Sequence, residues 1–264
     1  MILGLLACLA TEPPAQTELS TTEEPALFLA PASSTLMAGG DLRWVLSTWP
    51  ELSPVDEVGL GELKPVGLVG GRRGLVAILP GGELEDIRGS SRLELAKVSE
   101  DRVNLALPEG GRVQARYHEG FLLLGDLSQV QRMVEPESLL PDPAGELPAG
   151  SSWVLIRHPR RALDEAASRL AREGKGQQLQ AFRQDSGWTL AGLERIAIAR
   201  DGDTLQLRIH CQGGPCEGEH LRKARLARQA LLLADLPAEA RPLLEGLHMR
   251  RVEDHIEGWA PWPE

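Results

Sequence analysis

An alternation of apolar and polar or small residues in the middle of the chain constrains its fold more than any other feature. Two runs carry the alternation, and the turn Glu109-Gly110-Gly111 separates them. The alternating positions are Val103, Leu105, Leu107, Val113, Ala115 and Tyr117. Because successive side chains of a β-strand point to opposite faces, a period of two predicts strands with one buried face. The short glycine turn between them predicts an antiparallel meander.

Related patterns predict further strands, and apolar residues spaced three or four apart predict helices. The predicted strands lie near residues 27–29, 66–69, 74–79, 153–156, 196–211 and 249–262. The predicted helices lie near residues 41–49, 128–134, 161–183 and 221–233, the third with a break at 174–176. We therefore predict an α+β fold in which helices pack on antiparallel sheets built from a meander and hairpins.

Changes in composition divide the chain into five segments. They are an apolar start at 1–8, a tether at 9–25, an N-terminal α+β half at 26–135, a Pro-rich connection at 136–150 and a C-terminal α+β half at 151–264. The tether is rich in Thr, Glu and Pro, and we expect it to be disordered because it carries too little apolar surface to fold.

Two segments of similar sequence raise the hypothesis that the halves are related sheet-plus-helix units. Residues 112–121 read RVQARYHEGF and residues 251–259 read RVEDHIEGW. Both begin Arg-Val, contain one histidine and end Glu-Gly-aromatic, as a diverged internal repeat would.

The overall charge argues against nucleic acid as a partner. The chain has 28 Lys and Arg against 38 Asp and Glu, which gives a formal net charge of −10. Binding to phosphate backbones requires a concentrated basic surface. The apolar fraction of 42% and charged fraction of 25% are those of a folded globular protein.

The sequence contains no compact catalytic motif. It has no Gly-x-Ser-x-Gly, and the glycine-rich stretch 70–74 is followed by a strand, so it predicts a hairpin turn rather than a phosphate loop. We therefore expect neither a catalytic centre nor a cofactor. The alternative is an enzyme whose site is assembled from scattered residues, with His118, His158 and Asp164 as its parts.

The segment HCQGGPCEGEH, residues 210–220, has the residue types of a metal site. On a strand, however, Cys211 falls on the core side with Ile209, while His210 points to the other face. His248 and His255 also have opposite parity if they share one strand. These geometric demands predict no metal site.

A run of basic residues allows two interpretations, and its members are Arg222, Lys223, Arg225 and Arg228. It can bind anionic lipid or an acidic partner. The interpretation we favour is the solvated face of a helix whose other face, with Leu221 and Ala224, packs on a sheet.

Trp259 and Trp262 in the closing segment GWAPWPE also allow two interpretations. Exposed aromatic rings can stack on sugars, or they can dock on the protein itself and fix the terminus, which we favour. The neighbouring prolines predict an edge strand or an extended tail.

The run Leu5-Leu6-Ala7-Cys8 resembles the lipobox of bacterial lipoproteins. The resemblance implies that Cys8 carries lipid and that the membrane is a partner through it. No Lys or Arg precedes Cys8, so we expect more of the signal peptide upstream. No Asp follows Cys8, which implies an outer-membrane lipoprotein that faces the periplasm or is exported to the cell surface. The folded part resembles no family.

These inferences combine into one functional prediction. We expect a lipid-anchored envelope protein without a catalytic centre that acts as a binding, assembly or structural component, with a protein or peptidoglycan as its partner. If lipid occupies Cys8, two thiols remain, and an oxidising compartment favours joining them. Gln212-Gly213-Gly214-Pro215 suits the tight turn between them. We therefore predict a disulfide between Cys211 and Cys216.

Overall fold

The structure is a computed structural model that describes residues 25–40, 42, 65–72, 74–81, 95–98, 102–106, 112–138, 147, 152–172, 177–233 and 240–262. The chain divides near residue 145 into two compact units. Each unit consists of an antiparallel sheet with helices, which confirms the predicted α+β class.

The N-terminal unit is a seven-stranded antiparallel sheet with two described helices. Its elements are α1 (Pro25–Phe28), β1 (Leu36–Gly40), β2 (Gly67–Gly71), β3 (Gly74–Pro80), β4 (Leu95–Val98), β5 (Arg102–Ala106), β6 (Arg112–His118), β7 (Phe121–Asp126) and α2 (Leu127–Val134). The strand order is β1-β2-β3-β7-β6-β5-β4. The predicted meander is present in β5, β6 and β7, which pair in sequence order.

One predicted strand of this unit is wrong. Residues 27–29 were expected to be extended, but the chain forms the helical turn α1 from Pro25 to Phe28. Proline is favoured at the first position of a helix, and a short apolar run does not by itself separate a strand from a helix. Ala26 is buried and packs on β2, where its Cβ leaves no room for a side chain at Gly67. The helix predicted at 41–49 lies outside the described residues, except for Leu42.

The C-terminal unit is a five-stranded antiparallel sheet with helices inserted between its strands. Its elements are β8 (Ser152–Arg157), α3 (Pro159–Arg172), α4 (Gln177–Asp185), a 3-10 helix (Gly187–Leu190), β9 (Leu193–Asp201), β10 (Thr204–Cys211), α5 (Gly218–Leu233), α6 (Ala240–Gly246), β11 (His248–Val252) and β12 (His255–Pro261). The strand order is β11-β12-β10-β9-β8.

Helices α3, α5 and α6 pack against this sheet and cover one of its faces. The apolar side chains of the covered face alternate along the strands, as the sequence predicts. Buried examples are Ile196, Ile198, Leu205, Ile209 and Ile256. On α5 the buried residues Ala224, Ala227 and Leu231 form the predicted inner stripe. Their removal from water is the main favourable term in folding this unit.

The two units share one strand topology. In each unit the first strand pairs with the first strand of a hairpin, which is β2–β3 in the N-terminal unit and β9–β10 in the C-terminal unit. The last strand of each unit pairs with the second strand of that hairpin, β7 with β3 and β12 with β10. The N-terminal unit adds β4 and β5 beyond β6. The matching segments RVQARYHEGF and RVEDHIEGW are nevertheless not equivalent, because Glu119-Gly120 forms a turn whereas Glu257-Gly258 lies inside β12.

The closing segment differs from its prediction as an edge strand or tail. Strand β12 lies between β10 and β11 over most of its length. At its end only β10 remains as a partner, because β11 begins at His248, opposite Trp259, while Pro261 pairs with Thr204. Pro261 therefore lies in the part of β12 that has a neighbouring strand on one side only, which is where a sheet tolerates the missing N–H of proline.

Candidate functional site

The side chains of β10, β12 and β11 that alternate with the buried ones form a partly exposed surface, here called the open face. The strand register arranges them in three rows. The rows are Gln206, Trp259 and His248; Arg208, Glu257 and Arg250; and His210, His255 and Val252. All nine are exposed or half-buried. The open face is therefore a solvent-facing array whose spacing is fixed by the sheet.

Trp259 is the largest side chain of the open face and leaves 41% of its surface exposed. The ring of His248, directly opposite on β11, stacks on the indole at a centroid distance of 5.6 Å. The guanidinium of Arg250 lies 5.4 Å from the centre of the same ring. Both contacts come from β11, and the residue paired with Trp259 on β10 is Gln206. Aromatic and cation–π contacts contribute about 0.5 to 1.5 kcal/mol each and orient the indole.

The middle row contains an ion pair. Nη2 of Arg250 donates to Oε2 of Glu257, directly opposite, at 3.1 Å. This hydrogen bond lowers the pKa of Glu257, and a weaker one from His255 acts in the same direction. Because both partners are solvated, the pair orders the side chains more than it stabilises the fold.

The third row brings two histidines together. The rings of His210 and His255 stack with centroids 5.7 Å apart. Nδ1 of His255 lies 2.8 Å from the Asp254 carboxylate, and its Nε2 lies 3.3 Å from Glu257. Burial lowers the pKa of His210, and the positive charges of Arg195 and His255 lower it further, while Asp254 opposes them. Arg195 is the residue directly opposite His210 on β9.

A surface depression of about 260 Å³ adjoins this third row. Its lining residues are Glu194, Arg195, His210, Cys211, Gly214, Pro215 and Asp254. The lining thus combines two carboxylates with a guanidinium, an imidazole and backbone of the loop after β10. Opposite charges in one lining favour polar ligands without a large net charge.

The disulfide predicted between Cys211 and Cys216 is present at the rim of this depression, with Cα atoms 5.2 Å apart. Gly213 and Gly214 have φ of 82° and 142°, which glycine adopts without a steric cost. The N–H of Cys216 donates to the carbonyl of Asp254 at 2.8 Å. The bridge therefore closes the loop after β10, and this hydrogen bond ties the loop to the β11–β12 turn, next to His255.

The open face does not form a metal site. No group of three or more potential ligands converges among the described residues. Cys211 is buried on the helix side while His210 is on the open face, as the strand period predicts. The parity argument for His248 and His255 does not apply, because they lie on different strands: a two-residue turn at Glu253-Asp254 separates them and returns both to the open face.

The residues of the alternative catalytic site occupy other places. His118 ends β6 in the N-terminal unit, whereas His158 and Asp164 belong to the C-terminal unit. His158 caps α3 through its backbone: its carbonyl accepts from the N–H of Ala162 at 3.0 Å. Asp164 on α3 accepts a hydrogen bond from Arg183 at 2.7 Å and pairs with Arg160. Within the described chain, no hydrogen bond joins His158 to Asp164.

The basic run on α5 is more structural than the solvated face we predicted. Arg228 donates to the carbonyls of Leu244 and Glu245 at the end of α6, at 2.6 and 2.9 Å. Arg225 donates to the carbonyl of Met249 on β11 at 3.0 Å. Lys223 pairs with Glu219 one turn earlier. These side chains satisfy backbone acceptors that a helix end and a sheet edge leave open.

The two closing tryptophans have different environments. Trp262 is buried, with the guanidinium of Arg200 at 4.1 Å from its ring centre, and its backbone N–H donates to the carbonyl of Asp203. It docks on the protein, as the favoured interpretation predicts. Trp259 is instead exposed on the open face, so the favoured interpretation fits Trp262 alone of the two. Gln206, Arg208 and Arg250 were not predicted as neighbours of Trp259, although the outward positions of 206 and 208 follow from the alternation in β10.

Comparisons with known proteins place the chain in no family. No family model matches it, and no curated protein matches it. The chain is similar to solved structures of TP0453. The match to its crystal form I has a TM-score of 0.49 and 8% sequence identity, and covers 92% of this chain and 94% of the TP0453 chain. Crystal form III gives a TM-score of 0.47, 8% identity and coverage of 92% and 96%.

Two expectations concern the membrane. Cys8, the expected lipidation site, lies outside the described residues. Among the described helices, none is long and apolar enough to cross a bilayer.

Proposed function

We propose that this protein is a lipid-anchored component of the bacterial cell envelope, without a catalytic centre, that binds a partner through its open face. The anchor is the lipid on Cys8 that the lipobox-like run Leu5-Leu6-Ala7-Cys8 implies. The outer membrane, facing the periplasm or the cell surface, is the location that follows from this resemblance.

The disulfide between Cys211 and Cys216 supports a location outside the cytoplasm. Structural disulfides form and persist in oxidising compartments and are rare in the reducing cytosol. Both cysteines are buried, and their loop is anchored by the hydrogen bond between Cys216 and Asp254. This environment is that of a structural bridge rather than a reactive thiol pair.

The open face is the single observation that carries the binding role. Its charged and aromatic side chains are ordered by one another, through the stack of His248 on Trp259 and the ion pair of Arg250 with Glu257. Ordering side chains on binding costs about 0.5 to 1.5 kcal/mol each, so a surface already ordered binds with a smaller penalty. A purely structural face has no need of an exposed indole held in this way.

The alternative of an enzyme built from His118, His158 and Asp164 has less support. An acid–base site needs its groups within hydrogen-bond reach of one substrate. Asp164 is instead engaged by Arg183 on α4 and by Arg160 one turn earlier on its own helix. This arrangement fixes α3 against α4 and favours a packing role for the carboxylate.

Membrane fractionation with a Cys8→Ser variant tests the proposal. We expect the wild-type protein to sediment with membranes, to resist extraction by high salt and to dissolve in detergent. The Cys8→Ser protein should lose this behaviour, because it cannot receive lipid on the thiol. Wild-type protein that remains soluble after cell lysis would refute the anchor.

Photo-crosslinking in intact cells tests the binding face. A photoreactive amino acid in place of Arg208 should form a covalent adduct with the partner. The same amino acid in place of Arg222, an exposed position on α5, should form none. Equal yields at the two positions would remove the open face from the proposal.

A further inference from the structure

We infer that the open face binds the ring of an uncharged sugar, as part of an envelope glycan, with Trp259 as the stacking platform. This inference rests on the proposed binding role of the open face and names the chemical class of its ligand. It follows from the orientation of the indole, the balance of charge around it and the size of the surface.

Two side chains of β11 hold the indole of Trp259. His248 stacks on it, and the guanidinium of Arg250 lies 5.4 Å from its ring centre. On the β10 flank the neighbour is Gln206, whose amide both donates and accepts hydrogen bonds. An apolar ring surface beside an amide is the pairing that a sugar needs, because its C–H groups pack on the aromatic ring while its hydroxyls bond to the amide.

Charges of both signs surround Trp259. Arg250 is paired with Glu257, and His255 contacts both Asp254 and Glu257. The same balance holds on a larger scale, since residues 145–264 contain 17 Lys and Arg and 17 Asp and Glu, so the acidic excess lies in residues 1–144. The open face has two arginines, Arg208 and Arg250, against Glu257 and the neighbouring Asp254, so its small net charge gives little attraction to a strongly charged partner. It does present donors and acceptors to hydroxyl groups.

The dimensions of the open face favour a short glycan over a protein surface. Three strands about 4.8 Å apart and five residues at about 3.4 Å each give an array of about 10 by 14 Å. A stable protein–protein interface covers about 800 Å² on each partner. The array alone is several times smaller than such an interface, whereas a few sugar rings cover it.

Strand addition by a peptide at the neighbouring sheet edge is disfavoured. The edge strand β11 has only five residues, and two of them are Arg250 and Arg251. The carbonyl of Met249 is already occupied by Arg225 from α5. A short, charged and covered edge is how proteins prevent such pairing.

Ligand-observed NMR and calorimetry with the full chain test the inference. The protein is kept in a detergent without a sugar headgroup, and the probes are chitotetraose, cellotetraose and, as a charged comparison, tetraglutamate. We expect one of the neutral tetrasaccharides to bind and tetraglutamate not to bind. Trp259→Ala should weaken sugar binding about tenfold or more, the value of one aromatic contact.

Two matched variants control for folding and for aromatic content. Trp259→Phe keeps an aromatic ring and should bind within about threefold of the wild type, given the smaller aromatic area it offers. Trp188→Ala removes an indole that is 51% exposed on the 3-10 helix, and should leave binding unchanged. Should Trp259→Ala unfold, Gln206→Glu provides the test, because a carboxylate opposite the indole should also weaken binding.

The outcomes separate the ligand class from the proposed function. Failure of both tetrasaccharides to bind, or equal binding by Trp259→Ala, overturns the sugar inference. If the crosslink at Arg208 still forms in that case, the open face binds another class of partner and the proposed function stands. If tetraglutamate binds and the sugars do not, the ligand is an acidic chain and the inference is wrong.

Discussion

His210 and His255 are directly paired residues of β10 and β12, and their imidazole rings stack 5.7 Å apart. Arg195 lies opposite His210 on its other side, and Arg208 is two residues away on the same strand. Asp254 and Glu257 contact His255. Two protonated imidazoles in this row would repel each other and the arginines, which makes the row sensitive to acid.

The first prediction is that stability falls as the pH drops below about 6.5, the ordinary pKa of histidine. The pKa of His210 is lowered in the folded chain by burial and by Arg195, so the unfolded chain binds more protons in this window. Stability is then complete above pH 6.5 and is lost as the pH falls through the folded pKa.

Thermal unfolding between pH 7.5 and 5.5 measures this effect. We expect the midpoint of the wild type to fall more over this range than that of His210→Asn. His118→Asn, in the other unit, controls for the removal of a histidine. Identical pH slopes for wild type and His210→Asn would contradict the prediction. The carboxylates Asp254 and Glu257 do not confuse the test, because their pKa values are lowered and they titrate below this window.

The second prediction concerns the disulfide. Replacing Cys211 and Cys216 together by alanine should lower the free energy of unfolding by about 2 kcal/mol, the loop-closure contribution for a six-residue ring. Urea unfolding measures the difference. Reducing agent should destabilise the wild type and have no effect on the double variant. A wild type that is indifferent to reductant would show that the bridge is absent or contributes nothing.

The third prediction is that Arg228 stabilises the C-terminal unit through backbone contacts. Arg228→Ala removes two hydrogen bonds to the carbonyls of Leu244 and Glu245. Charged hydrogen bonds to backbone contribute about 1.5 to 3 kcal/mol, less where solvent reaches them, so we expect a loss of about 1 to 2 kcal/mol. Arg222→Ala, on the exposed face of the same helix, should stay within about 0.5 kcal/mol. Equal losses in the two variants would contradict the assignment.

The fourth prediction concerns the close contact of β7 with β3. A Cβ at Gly125 would overlap the carbonyl of Leu75 and lie 2.7 Å from the Cα of Val76. Gly125→Ala should therefore destabilise the N-terminal unit by about 1 to 3 kcal/mol, because backbone must move. Gly218→Ala is the control, since nothing lies within 4 Å of its Cβ. Hydrogen exchange in β3 and β7 would locate the effect, and unchanged protection there would refute it.

Local patterns in the sequence predict much of this fold. The alternation in 205–211 assigns Cys211 to the core and His210 to the other face, and the structure has both there. The stripe of Ala224, Ala227 and Leu231 predicts α5 within three residues of its observed start. Each of these features depends on residues close in sequence, so a periodic pattern contains the necessary information.

The open face depends on pairings that no local pattern contains. Strand β12 pairs with β10 across more than forty intervening residues, so the row of Gln206, Trp259 and His248 is set by tertiary register. The β11–β12 turn also lacks a sequence signal, because Glu253 adopts φ of 48° without glycine or asparagine. The sequence predicts a strand pair over 249–262 but not where it turns, so it does not place His248 and His255 on one face.

Mass spectrometry of the mature N-terminus, on protein purified from the membranes of its own host, tests the central claim most directly. The account predicts an N-terminal peptide that begins at Cys8 and carries lipid on the thiol and the amine. An unmodified peptide that runs through Cys8 without cleavage would contradict the lipid anchor, and with it the proposed place of this protein in the cell envelope.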